Sequence, residues 1–369
     1  MAIGQFTLAL PHSVVDPHAV TTFYVGLAFL IVGNGLFKPN ISTMVGDLYP
    51  AGDHRRDGAF TIFYMGINIG SLLAGIIAGT ASAVYGWKAG FLCAGIGMLM
   101  SLLIQVFFAQ RYLGDIGKVP AAVRDAANNA SGKKEPLTKI ERDRLKVILV
   151  MCTFVIVFWA GFEQAGGLMN IYSQEYTNRM IGNFEVPAAW FQSLNPFFII
   201  LCAPLLAALW VKMGKSEPNS PVKFALAMFS LALGFACMIG AALEQNGDVT
   251  VKTSMMWLVG AYFFHTIGEL CLSPIGLSMV TKLAPLRLAS LMMGAWFGAN
   301  AIANYIAGVV GASIGQAGPL AIFSGIAITA VIAGVLLLLF SNKLISWMHG
   351  AEGAVDDDDS EIKPQPANA

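Results

Sequence analysis

Residues Gly33–Asn40 read GNGLFKPN. They close a run that begins at Thr21, TTFYVGLAFLIVGNGLF, and carries no charge before Lys38. A lysine at the end of such a run is either an anchor whose long stem reaches the headgroups or a working charge held inside the membrane. The chain stays only weakly polar after Lys38 (PNISTMVG), so the span continues to about Val45, with Pro39 kinking a segment that Gly33 and Gly35 already thin. That favours the second reading, and the question becomes what this charge pairs with.

The rest of the composition agrees with a lipid setting. Of 369 residues, 56% are hydrophobic and 12% charged, against about 25% charged in soluble domains. Long apolar runs recur at about 21–45, 60–83, 89–110, 147–171, 190–211, 222–243, 254–280, 288–312 and 319–341. The fold class expected is therefore all-α, a polytopic membrane protein of about nine transmembrane helices. The 39 glycines suit close helix packing in lipid. Net charge is zero, which leaves no basic footprint for a nucleic-acid partner. Cys93, Cys152, Cys202, Cys237 and Cys271 all fall inside apolar runs without metal spacing, so they read as small packing residues and no metal site is expected.

Lys and Arg alternate between rich and poor loops. Arg55 and Arg56, the long segment Arg111–Lys146, the group Lys212, Lys215 and Lys223, and the pair Lys282 and Arg287 mark the rich ones. By the positive-inside rule these are cytoplasmic, as is the C-terminus. The N-terminus then lies outside. That start, the odd helix number and the apolar head MAIGQFTLAL imply upstream helices absent from the sequence; the alternative is a nine-helix protein with an exported N-terminus. The polar stretch 111–146 reads as a cytoplasmic linker whose last part, LTKIERDRLK, forms a short surface helix. Residues 346–369, with the DDDD run at Asp356–Asp359, read as a disordered cytoplasmic tail.

Three charges lie inside spans: Lys38, Glu163 in FVIVFWAGFEQAGG, and Glu269 in LVGAYFFHTIGELCLSPIGLSM. A mid-membrane carboxylate is costly unless paired, protonated or facing water. The three together point to a functional polar cavity rather than to structural ion pairs alone. Trp159 lies one turn before Glu163, Ser273 one turn after Glu269, and Asn68 one turn after Tyr64. Asn195 follows WFQSL in the fifth span. His265, one turn before Glu269, reads as a hydrogen-bonded packing residue, and Trp296 divides evenly between cavity wall and aromatic packing. Such a set supports binding and translocation, not bond cleavage. A Glu in an apolar wall holds protons more tightly and a nearby Lys reverses that, which couples proton occupancy to conformation. An ammonium and a carboxylate facing one chamber also match the two ends of a zwitterion.

At GNGLFKPN, DHRRDGAF (Asp53–Phe60), FYMGINIG, FWAGFEQAG, WFQSLNP, GELCLSPIGLSMVTKLAP and MMGAWF, the chain resembles the proton-dependent oligopeptide transporters of the major facilitator superfamily, over roughly residues 20–345. The resemblance implies a fold of about twelve core helices in two six-helix bundles. On it, residues 1–20 are the remnant of an upstream helix and outer loop. Residues 21–110 are a partial N-terminal bundle of three helices, and 147–345 are the complete C-terminal bundle. It further implies that Lys38 serves the substrate carboxylate and proton coupling. Glu269 takes the peptide amino terminus and pairs with that lysine at the inner gate, and Glu163 belongs to the proton-coupling machinery. Asn68, Asn195, Trp159 and Ser273 line the cavity, with Tyr64 and Trp296 as further lining positions. The family's first-helix ExxERF-type motif, which supplies the arginine that pairs with the seventh-helix glutamate, is absent from the sequence.

The function implied is proton-driven import of di- and tripeptides at a cell inner membrane, with no cofactor and with peptides, protons and the bilayer as partners. The alternatives are a family member carrying nitrate or another small solute, which loss of the Glu269 amine site would favour, and a non-transporting fragment. An enzyme is not expected: no HExxH, GxSxG or paired intramembrane aspartates occur.

Overall fold

A computed structural model describes residues 1–10, 18–48, 55–116, 136–248, 250–285, 288–313 and 318–351; for residues 38, 39, 42, 43, 46, 47, 55–61, 215, 281, 289 and 290 it describes backbone but not side chains. Asp53 and His54 of the DHRRDGAF motif, most of the linker and nearly all of the acidic tail lie outside the described residues. The helices are α1 (Ala2–Ala9), α2 (Ala19–Asp47), α3 (Arg55–Tyr85), α4 (Trp87–Tyr112), α5 (Lys139–Phe162), α6 (Leu168–Glu175), α7 (Leu194–Met213), α8 (Ser220–Glu244), α9 (Met256–Leu283), α10 (Ala289–Ala312) and α11 (Pro319–Met348). Each of the nine expected spans coincides with a long helix among the described residues. All of them except α10 are long and apolar enough to cross a membrane; in α10, Asn300 and Asn304 dilute the hydropathy.

Three local features depart from the sequence reading. LTKIERDRLK is no separate surface helix but the first turns of α5, which starts eight residues ahead of the expected span. A capping box starts it: Thr138 Oγ1 accepts from the Glu141 amide at 3.2 Å, and the Thr138 amide donates to Glu141 Oε2 at 2.8 Å. The same helix stops at Phe162 instead of running to 171, passes through a 3₁₀ turn at Glu163–Ala165 and resumes as α6 after Gly166 and Gly167. Paired glycines favour such an interruption, since they weaken a helix interior. Finally, two small strand pairs occur in an otherwise helical chain. β1 (Thr177–Asn178) runs parallel to β4 (Thr253–Ser254), and β2 (Met180–Ile181) pairs antiparallel with β3 (Phe184–Glu185).

The chain divides into two compact units, one comprising Met1–Lys134, Gln164–Ala203 and Cys237–Thr266, the other Glu135–Glu163, Pro204–Ala236 and Ile267–Ala369. In the first unit α1 packs against α2 and α4, and α3 against α4 and the 3₁₀ segment Ala188–Ser193. In the second, α5 is central and carries both α10 and α11. Its inner face is Val147, Ile148, Met151, Val155 and Phe158, all fully buried, at helical spacing. Phe224, Met228, Leu231 and Phe235 of α8 and Phe323 and Leu337 of α11 complete that core. Lipid is as apolar as these side chains, so shape-matched contact rather than water exclusion holds the helices together.

Candidate functional site

Around the break in α5, neutral polar groups fix the backbone. The Ala165 carbonyl, exposed by the interruption, accepts from Gln192 Nε2 at 2.5 Å and from the Tyr262 hydroxyl at 3.2 Å. Gln192 Nε2 also donates to the Tyr262 oxygen at 3.1 Å. A carbonyl freed inside a membrane costs several kcal/mol, about what this network offsets. One turn on, Asn195 Nδ2 donates to Thr266 Oγ1 at 3.2 Å, while the Thr266 hydroxyl donates to the Tyr262 carbonyl at 2.7 Å. Asn195 is thus half-buried and positioned by α9. Gln192, Tyr262 and Thr266 were not singled out in the sequence, because a neutral polar residue in an apolar run gives no signal comparable to a charge.

The same 3₁₀ segment meets α3. The Trp190 indole Nε1 donates to Thr80 Oγ1 at 2.9 Å, and the Ser193 hydroxyl donates to the Leu72 carbonyl at 3.1 Å. Gly75 and Gly79, four residues apart on α3, allow this approach. A Cβ on Gly79 would stand 2.8 Å from the Ala189 Cβ, and one on Gly75 would collide with Ser193 Oγ. Small residues at this spacing let helices touch backbone to backbone.

Asn68 also lies in the first unit. It is buried, and its Nδ2 donates to the Tyr64 carbonyl one turn back at 2.9 Å, with Tyr64 itself exposed at 39%. The backbone of Lys38 continues within α2, and its side chain lies outside the described residues.

The second unit carries the remaining candidates. Glu163 caps α5 in the αR conformation and is half-buried. Trp159, one turn earlier, is edge-on to Phe158 and Phe162 at 5.7 and 5.0 Å between ring centres. Glu269 and Ser273 share a face of α9 and are both half-buried; the Ser273 hydroxyl oxygen is shielded and makes no hydrogen bond among the described residues. Pro274 follows directly inside the helix. Trp296 is buried at 3% exposure, edge-on to Phe224 with ring centres 6.2 Å apart and packed over Gly276, so aromatic packing describes its surroundings. His265, read from the sequence as a hydrogen-bonded packing residue, is buried at 1% exposure. Among the described residues no three His, Cys, Asp or Glu side chains converge as a metal site would need.

Comparison with known proteins places this architecture. The POT family matches over residues 1–113 and 122–318. A peptide transporter of Yersinia enterocolitica is 34% identical over 414 residues, covering 95% of this chain and 81% of that one. Dipeptide and tripeptide permease A of Escherichia coli K12 is 31% identical over 395 residues, covering 93% and 78%. Among solved structures, a peptide transporter POT in complex with sulfate superposes with a TM-score of 0.84 at 32% identity, covering 94% and 79%. A POT family transporter in complex with a thioalcohol-conjugated peptide gives 0.82 at 29%, covering 93% and 80%. With its membrane-crossing helices and these matches along most of its length, the chain belongs to the POT family, a family of membrane transporters.

Proposed function

We propose that the protein is a proton-coupled symporter that imports di- and tripeptides by alternating access, driven by the proton gradient without a cofactor. The observation that carries this is the presence of Lys38 on α2, directly after the apolar segment Ala19–Phe37, and of Glu163 and Glu269 within apolar segments long enough to cross a membrane, in a POT family chain. Such charges persist in lipid where they serve a substrate, a proton or a gate. Lys38 takes the peptide carboxylate and Glu269 its ammonium, while Lys38, Glu163 and Glu269 exchange protons and pairings as the protein changes state. Trp159, Asn68, Asn195 and Ser273 line the chamber together with Tyr64, while Trp296, packed against Phe224, has a structural part. The helix break at Glu163 suits this role, because irregular backbone at membrane depth is tolerated where it lines a cavity. The names of the relatives support the substrate class.

The proposed layout has residues 21–110 as a partial front bundle, 147–345 as the rear bundle and 111–146 as the cytoplasmic link, in a cell inner membrane with the C-terminus inside. In that orientation the contact of Gly75 and Gly79 with Ala188–Ser193 lies at the outer end of the pathway and closes it there. The test is uptake of labelled dialanine into proteoliposomes under an imposed inward proton gradient. Uptake above that of empty liposomes, abolished by a protonophore, is expected; uptake equal to empty liposomes refutes the reading.

A further inference from the structure

The first and last helices of the second unit meet in a seam that differs in chemistry along its length. At one end Trp347 of α11 has the ammonium of Lys343 at 5.2 Å from its ring centre and that of Lys146 of α5 at 5.6 Å. Arg142 and Lys139 continue the same face of α5. Lys146 also pairs with Asp143 at 2.9 Å, and Glu141 is engaged in the Thr138 cap. Against the two carboxylates of Asp143 and Glu141, therefore, the four basic side chains Lys343, Lys146, Arg142 and Lys139 still leave surplus positive charge. A tryptophan with lysines at a helix end is the composition of a membrane interface.

From this end an exposed apolar stripe runs into the membrane: Leu149 on α5, and Phe340, Leu336 and Ile332 on α11, each three or four residues from the next. The stripe ends in a crevice of about 420 Å³ lined by Ile156, Val157 and Ala160 of α5, Gly325 and Thr329 of α11, and Ile306 of α10. At 1.5 Å per residue, Ile156 lies about 15 Å along α5 from Lys146, which is one leaflet of a roughly 30 Å hydrocarbon core. The cationic end, the apolar stripe and the crevice thus follow one another at the distances a single lipid spans.

We infer that the α5–α11 seam is a binding site for one anionic phospholipid, its phosphate held by Lys343, Lys146 and Arg142 beside Trp347 and one acyl chain running down the stripe into the crevice. Charge complementarity selects the headgroup, since each basic side chain near an anionic surface contributes about 1 kcal/mol. The crevice selects the place. An annular lipid would find the same charge at any basic loop; at this seam a cavity also continues the path of its chain.

Two substitutions separate the parts of this claim. Lys343→Gln removes a cation whose described contact is the Trp347 ring. Gly325→Leu extends into the crevice from a position where an added Cβ meets nothing within 4 Å, so it takes up space that the chain would occupy. The purified protein in detergent is incubated with palmitoyl-oleoyl phosphatidylglycerol, or with phosphatidylcholine bearing the same chains, and retained lipid is counted by native mass spectrometry. Thermal unfolding checks that both variants remain folded. Phosphatidylglycerol is expected to be retained over phosphatidylcholine, with retention falling about fivefold in Lys343→Gln and at least as far in Gly325→Leu. Equal retention of the two lipids, or retention unchanged by Lys343→Gln, overturns the headgroup site. Retention unchanged by Gly325→Leu overturns the placement of the chain. Should either variant unfold, Lys343→Arg, which keeps the charge and is expected to keep the lipid, and Gly325→Ala, which is expected to reduce retention part-way, decide between the same outcomes.

Discussion

Gly79→Ala tests the seal between α3 and the 3₁₀ segment with a single methyl group. The new Cβ would lie 2.8 Å from the Ala189 Cβ, while ordinary contact begins at 3.4 Å, so the two backbones must part by about 0.6 Å. Neither atom can rotate away, since a Cβ is fixed by its own backbone. Overpacking of this kind costs about 1–3 kcal/mol. If the contact exists in one state of the transporter and is parted in the other, the strain falls on the closed state alone. The opening equilibrium then moves by about 5- to 150-fold. Hydrogen–deuterium exchange reads that factor directly: the amides of Ala188–Ser193 and of the facing turns of α3 are expected to exchange faster by the same amount, with α8 unchanged as internal control. Ala189→Gly removes the opposing methyl, so the double variant Gly79→Ala/Ala189→Gly is expected to return to the parental rate. Unaltered exchange in Gly79→Ala, or failure of the second substitution to restore it, would refute the idea that this close approach sets the outer-closed population.

If Glu269 is the partner of the peptide ammonium, as proposed, Glu269→Gln is expected to weaken dipeptide binding about tenfold or more, because a neutral amide replaces a charge; calorimetric titration with dialanine checks it, and unchanged affinity removes Glu269 from the site. The Asp143 carboxyl is held below the usual carboxylate range, chiefly by its hydrogen bond to Lys146 and then by that to His349. A depressed folded-state value means that this contribution to stability is present above the ordinary carboxylate range and is lost as pH falls through the lowered value. Melting temperature measured from pH 7 down to pH 3 is therefore expected to fall more steeply for the parent than for Asp143→Asn; parallel curves would deny the linkage. Thr138→Ala removes one arm of the capping box and is expected to cost about 1 kcal/mol, seen as a lower melting temperature, whereas Thr138→Ser is expected to restore it.

The helices were legible because each apolar run of about twenty residues has one stable solution in lipid. Lys38, Glu163 and Glu269 stood out because each violates that rule at a cost only function or pairing offsets. What escaped the sequence reading was tertiary. The interruption after Phe162 depends on Gln192 and Tyr262 meeting the Ala165 carbonyl from distant segments, and no local pattern announces such partners. The strand pairing of Thr177 with Thr253 likewise joins residues far apart in the chain. Residues 139–146 misled because their charges look like a soluble helix; continuity with the apolar part of α5 emerges once Val147 and Ile148 are seen fully buried on the same rod. Trp296, evenly divided on sequence grounds, is surrounded by Phe224 and Gly276, a contact set by helices α8 and α9 that its own helix does not foretell.

Arg144 near the start of α5 donates to the Met348 carbonyl at 3.1 Å and to the His349 carbonyl at 3.3 Å, satisfying acceptors that the end of α11 leaves open. The entry and exit of this half of the polypeptide therefore stand side by side, tied through main-chain atoms that no substitution at 348 or 349 removes. Its order of helices is thus a matter of wiring rather than of packing. A circularly permuted half, joined from His349 to Thr138 by a few residues and opened at the turn before α8, would keep the Arg144 contacts while giving the polypeptide new ends.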